Sequence, residues 1–154
     1  MTTKNNQDVI RLAEFWPYKA VYLADQISRI TVNVARQTAQ LNLSQWRVLA
    51  AIAETPDTTA AHVTSVTPMD KTIVSRAVQS LLTSELIKKS PDALDKRRMT
   101  LRTTDKGNEV YKAIAAQLRL YFLPEIEQDE KAKELLSLLD EFVERLNKII
   151  PPEK

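Results

Sequence analysis

Between Pro68 and Gly107 the hydrophobic period of the chain switches from helical to alternating. Val74, Ala77, Val78 and Leu81 recur at 3/4 spacing, which makes one apolar stripe and predicts a helix over Asp70–Thr83. Leu86 to Lys89 then reads as a short strand. Met99, Leu101 and Thr103 alternate with Thr100, Arg102 and Thr104, so a second strand returns. The turn between them, Pro91 to Arg98, holds a proline, two aspartates and the run Lys96-Arg97-Arg98. A helix that feeds directly into a hairpin with a cationic tip leaves few architectures open.

The residues ahead of this stretch narrow them further. Ser44 is expected to cap a helix running to about Glu54. Trp46, Val48, Leu49, Ala50, Ile52 and Ala53 make that helix apolar nearly all round, so it is expected in the core. Pro56-Asp57-Thr58 is the exit turn, Thr59 caps a short helix Ala60–Val66, and Thr67-Pro68 stops it. Two helices joined by a turn of about 3–4 residues form a helix-turn-helix. With the hairpin behind it, residues 44–104 read as a winged helix-turn-helix. The second helix carries Thr72, Ser75, Arg76 and Gln79 opposite its apolar stripe, with Lys71 at its start. Short hydroxyls, an amide and cations are the groups that pair with base edges and phosphates in a major groove, whereas a plain solvent face more often carries Glu/Lys pairs. The cationic tip would reach an adjacent groove or the backbone.

Long amphipathic helices flank this unit. Val9 to Trp16 is expected to form a helical turn or two before Pro17 sets a boundary. From Tyr18 to Gln40, the residues Ala20, Leu23, Ile27, Ile30, Val34 and Ala35 keep a near-heptad stripe. After the wing, Thr104 caps a helix from Asp105, whose stripe is Val110, Tyr111, Ile114, Leu118 and Tyr121 and which Pro124 breaks. A last helix runs from about Asp129 to Ile150, with Leu135, Leu139, Phe142, Leu146 and Ile149 at 4-3-4-3 spacing. These stripes exceed what one small domain can bury. Residues 9–40 and 105–150 are therefore expected to be dimerisation helices, within a single domain of residues 1–154. The expected fold is mainly α with a small β-hairpin wing. A two-fold dimer would set two recognition helices roughly 34–36 Å apart, one DNA turn, on a palindromic operator.

One glycine in 154 residues agrees with a helical chain of few tight turns. The absence of cysteine excludes disulfides, thiol nucleophiles and Cys-based zinc sites. No apolar run approaches the roughly 20 residues of a membrane span, so no membrane association is expected and the cytoplasm is the expected location. The net charge of +2 is unevenly spread. Met69–Gly107 has nine basic and five acidic residues, and Pro124–Lys154 has five basic and nine acidic. A basic middle and an acidic end point to a polyanion meeting the middle alone.

The order and spacing of several pieces resemble the MarR family of bacterial transcriptional regulators. They are Met69-Asp70-Lys71 with Val74-Ser75-Arg76, the wing Asp95-x-Arg97-Arg98, and Leu101 with Thr104-x-x-Gly107. The resemblance covers about residues 15 to 150. It implies a homodimer whose terminal helices interdigitate, with Arg97 entering the minor groove, Asp95 orienting it, and Arg98 on the backbone. Lys71, Thr72, Ser75, Arg76, Gln79, Asp95, Lys96, Arg97 and Arg98 are the expected DNA-binding residues. Pro17-Tyr18 with Leu23-Ala24 and Ile27-Ser28-Arg29, then Trp46-Arg47-Val48-Leu49, resembles the branch responding to phenolic acids or their CoA thioesters. That resemblance implies a pocket between the winged region and the dimer helices. Ser28, Arg47 and His62 would be its polar groups, and Trp16, Tyr18, Tyr22 and Tyr111 its walls.

Other readings stand beside these. The aromatics also fit simple packing. Arg47 interrupts an apolar helix and needs an anionic partner, either a structural carboxylate or an effector. The lone His62 is expected to be a partly buried hydrogen-bonder, since one histidine without cysteine makes no transition-metal site. With no Gly-rich phosphate loop and no Ser/His/Asp spacing, neither an enzyme nor a cofactor is expected. A winged helix serving protein–protein contact is the alternative, one that a neutral or acidic wing would favour.

Overall fold

The computed structural model describes residues 10–92, 95–122 and 130–149. The described residues form α1 (Trp16–Ala39), α2 (Leu43–Glu54), α3 (Ala60–Val66), α4 (Lys71–Thr83), β1 (Ile87–Pro91), β2 (Met99–Thr103), α5 (Asp105–Phe122) and α6 (Glu130–Ile149). This is the mainly α fold with a hairpin wing that the sequence pattern implies. The chain divides into two compact units, one ending at Ile114 and the other starting at Ala115. None of the described helices is long and apolar enough to cross a membrane.

In the first unit, α1 starts at Trp16, with Pro17 in its first turn where a missing N–H costs nothing. Ahead of it, residues 12–14 form hydrogen-bonded turns, with Glu14 N–H on Arg11 O and Phe15 N–H on Leu12 O, while residue 9 lies outside the described residues. Gln40 ends α1 in the left-handed region at φ 58. Of the predicted stripe only Val34 and Ala35 are buried, and Leu23, Ile27 and Ile30 remain exposed.

Asn42, not Ser44, caps α2. Its side chain accepts from Gln45 N–H, and the Gln45 side chain accepts from Asn42 N–H, which closes a capping box. Ser44 sits inside the first turn and donates its hydroxyl to Asn42 Oδ1. The sequence reading moved the cap by two residues because serine and asparagine are nearly equal as caps, and only the reciprocal glutamine distinguishes them. Trp46, Val48, Leu49, Ala51 and Ile52 bury α2 at the centre of the core. Thr59 caps α3 and Asp70 caps α4, each through its side-chain oxygen. Val74, Ala77 and Leu81 turn one face of α4 onto that core.

Past α4, Glu85 turns the chain at φ 58, and Leu86 N–H still reaches back to Leu81 O. The strand accordingly begins at Ile87 and runs on to Pro91, two residues beyond the predicted Lys89. β1 and β2 are antiparallel, with Ile87 opposite Thr103 and Pro91 opposite Met99. Leu101 N–H also bonds to Thr58 O at 2.7 Å, so the turn after α2 adds a one-residue third strand. The predicted alternation of β2 fails at Thr100, which is buried beside Leu101 and hydrogen-bonds Ser90 O across the hairpin.

The single glycine marks the tightest approach. A Cβ on Gly107 would lie 1.8 Å from Leu86 O. Thr104, the cap of α5, accepts from Gly107 N–H and donates its hydroxyl to Glu85 O. Its backbone N–H bonds Leu86 O as well. The start of α5 is thus pressed against the α4–β1 turn, and the missing side chain permits it.

In the second unit, α6 is amphipathic, and its apolar residues are exposed among the described residues. Leu139 is 47% exposed and Ile149 73% exposed. Glu130–Lys133 and Glu141–Arg145 pairs line its polar side. Pro124, Asp129 and Ile150, which carried predicted boundaries, lie outside the described residues.

Candidate nucleic-acid interface

The apolar face of α4 is pinned to α2, which fixes what its other face presents. Gln45 Nε2 donates to Ser80 Oγ at 2.6 Å, a contact between the two helices that holds their register. Asp70 Oδ1 accepts from Ile73 N–H at 2.8 Å and sets the first turn. With Val74, Ala77 and Leu81 turned inward, Lys71, Thr72, Ser75, Arg76 and Gln79 are all exposed. They form one continuous polar face over about two turns of helix.

The wing turn is shaped by its aspartates. Asp92 N–H bonds Arg98 O, and Arg98 N–H bonds Asp95 O, both at 2.9 Å. Asp95 N–H donates to Asp92 Oδ1, and Asp95 Oδ1 accepts from Arg97 N–H, both at 3.0 Å. Asp95 therefore holds the backbone of the turn through its carboxylate. Lys96, Arg97 and Arg98 are exposed. Among the described residues, none of these three, nor Lys71 or Arg76, is in an ion pair. Charge that has no internal partner is free to meet an external one.

A cavity of about 710 Å³ opens beside α4. Val32 of α1, Leu43, Ser44 and Arg47 of α2, and Ile73, Arg76 and Ser80 of α4 are in its walls, with Pro68 and Met69. Arg47 is half-buried and, among the described residues, has no ion pair, so of the two anionic partners that the sequence leaves open the structural carboxylate is not found among them, and its remaining solvent contact lowers the cost of the unpaired charge.

The other expected pocket residues are spread over three helices. Trp16, Tyr18 and Tyr22 are exposed near the start of α1, and Ser28 is half-buried farther along it. Tyr111 stacks on Trp46, with ring centroids 5.7 Å apart and planes 15° apart, which is a packing role. His62 is exposed on α3 rather than partly buried. The short helix offers the core only Val63, so the histidine next to it faces water.

Sequence reasoning missed the ion pair between Asp57 and Arg102. Arg102 Nε donates to Asp57 Oδ1 at 2.9 Å and its Nη2 to Oδ2. That hydrogen bond holds the Asp57 carboxyl below its ordinary range. The partners lie 45 residues apart and no local pattern links them.

Residues 39–98 match the model of the MarR family. No curated protein matches the chain significantly. Among solved structures, a MarR/EmrR family transcriptional regulator from Acinetobacter sp. ADP1 is similar at a TM-score of 0.79 and 20% identity, covering 90% of this chain and 99% of that one. CouR from Rhodococcus jostii RHA1, bound to p-coumaroyl-CoA, is similar at 0.75 and 14% identity, covering 95% and 99%. A complex of Staphylococcus aureus MepR with DNA is similar at 0.73 and 15% identity, covering 86% and 96%. At these identities the structures establish the fold, and the matched segment spans the helix-turn-helix and most of the wing. Over residues 39–98 the chain is similar to the MarR family, and its fold is the winged helix-turn-helix fold of the solved MarR-family structures.

Proposed function

We propose that the protein is a homodimeric repressor that binds a palindromic operator and is released by a small aromatic anion. The observation that carries this reading is the pairing of an exposed polar face on α4 with a wing tip whose Lys96, Arg97 and Arg98 are in no ion pair among the described residues. Lys71, Thr72, Ser75, Arg76 and Gln79 would enter the major groove. Asp95 would hold the turn from which Lys96, Arg97 and Arg98 reach the adjacent groove and backbone. The uncovered apolar faces of α1 and α6 support a second copy as partner, since patches of this extent rarely face water in a monomer.

The effector reading rests on the cavity beside α4. Its volume falls in the ordinary range for small-molecule sites, and its walls combine two arginines, Arg47 and Arg76, and polar groups such as Ser44 and Ser80 with apolar Val32, Leu43, Met69 and Ile73. An aromatic acid, or its CoA thioester, supplies both an apolar ring and an oxygen acceptor. Because Arg76 belongs to the cavity wall and to the groove face, an occupant that engages it would compete with DNA. Trp16, Tyr18, Tyr22, Ser28, His62 and Tyr111 would enter such a site only with contributions from the partner copy or a rearrangement of α1.

A salt-titrated mobility shift on the DNA upstream of its own gene tests the reading. Sequence-selective binding is expected, with a slope of about −0.9 per neutralised phosphate, and release by aromatic acids. Weak, sequence-indifferent binding would shift the reading to a winged helix for protein contact.

A further inference from the structure

The wing is a two-stranded hairpin, and such a ribbon is only marginally stable in isolation. Its aim depends on what anchors its base. Two adjacent residues of β2 are tied to the turn between α2 and α3. Leu101 N–H bonds Thr58 O at 2.7 Å, and the next residue, Arg102, grips Asp57 through both carboxylate oxygens. Asp57 stands at φ 62, a left-handed conformation that aspartate tolerates better than most residues. An open cleft of about 560 Å³, bordered by Asp57, Ser90, Thr100 and Arg102, lies alongside these ties. The side-chain pair is therefore one of two struts on this side of the wing.

We propose that Asp57 and Arg102 are positioning residues for DNA binding, a bidentate strut that sets the angle at which the wing delivers Arg97 to the groove. This rests on the reading that the wing contacts DNA. Arg97 lies five positions before Arg102, up to roughly 17 Å of extended chain. A tilt of about 10° at the base would then move the tip by about 3 Å, far more than a groove hydrogen bond tolerates. An exposed pair adds little to global stability, so its value lies in orientation. The planar fork of arginine suits this role, because two parallel bonds fix an angle where one ammonium contact fixes only a distance.

The test uses the full-length protein and a duplex that the wild type selects from a random-sequence pool. Asp57→Asn keeps the tolerance for positive φ and removes the charge. Arg102→Lys keeps the charge and removes the fork. Each is expected to weaken binding about 3- to 10-fold, with the salt slope unchanged and only a small fall in melting temperature at neutral pH. Loss of a negative charge would by itself strengthen binding to DNA, so weakening by Asp57→Asn has the opposite sign to the plain charge effect. In an Arg97→Ala background the same Asp57→Asn change should cost less than about 1.5-fold, because the tip it aims is gone. Wild-type affinity in both single variants overturns the proposal, and so does an equal loss with and without Arg97. If no duplex is selected, or if Arg97→Ala binds as wild type, the DNA reading of the wing fails and the strut has nothing to position. If Arg97→Ala weakens binding while both strut variants do not, the strut alone is refuted.

Discussion

Single residues carry the tightest constraints in this protein. Gly107 is the position at which any side chain collides with backbone, since its Cβ would sit 1.8 Å from Leu86 O. Gly107→Ala is expected to lower unfolding free energy by about 1–3 kcal/mol, although alanine is the better helix former. Urea denaturation at fixed protomer concentration checks this, and a stabilised variant would mean that the α4–β1 turn yields freely. Thr58 presents the opposite case. It is 5% exposed and its hydroxyl, among the described residues, finds no partner. Thr58→Val keeps the β-branched shape and the backbone bond to Leu101 and removes the orphaned polar atom. It should stabilise by about 1 kcal/mol. Asp57 makes a pH-dependent contribution. Its carboxyl is held low by the hydrogen bond from Arg102, so the pair stabilises the fold above the unfolded aspartate pKa. That contribution is lost as pH falls through the lower, folded value. The stability difference between wild type and Asp57→Asn, followed by thermal melts from neutral to acid pH, should be constant down to the ordinary aspartate range and shrink below it.

At the scale of elements, α4 and the wing divide the work differently. The polar face of α4 is fixed by its buried face, by the Asp70 cap and by the Gln45–Ser80 bond, so its five candidate contacts move as one body. The wing tip depends on a turn held by four hydrogen bonds among Asp92, Asp95, Arg97 and Arg98. Arg97→Ala should weaken operator binding by about 1–3 kcal/mol if the side chain makes a specific groove contact. Comparing mobility shifts on the operator and on scrambled duplex separates the two possible losses. A loss confined to the operator marks groove readout, and an equal loss on both marks a phosphate contact. The helix of this interface was legible in the sequence because a 3.6-residue period divides its side chains cleanly into two faces. The wing was legible as a turn, but Thr100 was misplaced, since a hairpin backed by Thr58 buries residues that a free hairpin would expose.

At the scale of the whole molecule, α1 and α6 expose apolar side chains among the described residues. In α6 the seam residues Leu135, Leu139, Phe142, Leu146 and Ile149 are all exposed, and α1 leaves most of its stripe in the same state. Replacing Leu139 and Phe142 together with glutamate should shift the protein from dimer to monomer in sedimentation. Operator affinity should then fall on the order of 100-fold, the loss expected when two linked half-site contacts become independent. A double variant that stays dimeric would remove α6 from the interface.

The sequence by itself determined the order of elements, the buried faces of α2 and α4, and the cationic turn. Those follow from periods and caps that act over a few residues. It also exposed an excess of apolar stripe, which is a statement about area and needs no coordinates. Only the tertiary structure decided that Asn42 rather than Ser44 caps α2, that Arg47 shares a cavity with Arg76 while His62 faces water, and that Asp57 braces Arg102. The cap is a local choice between two nearly equal residues, but the Arg47–Arg76 and Asp57–Arg102 pairings join residues far apart in the chain, and their energies depend on distances that no local pattern encodes.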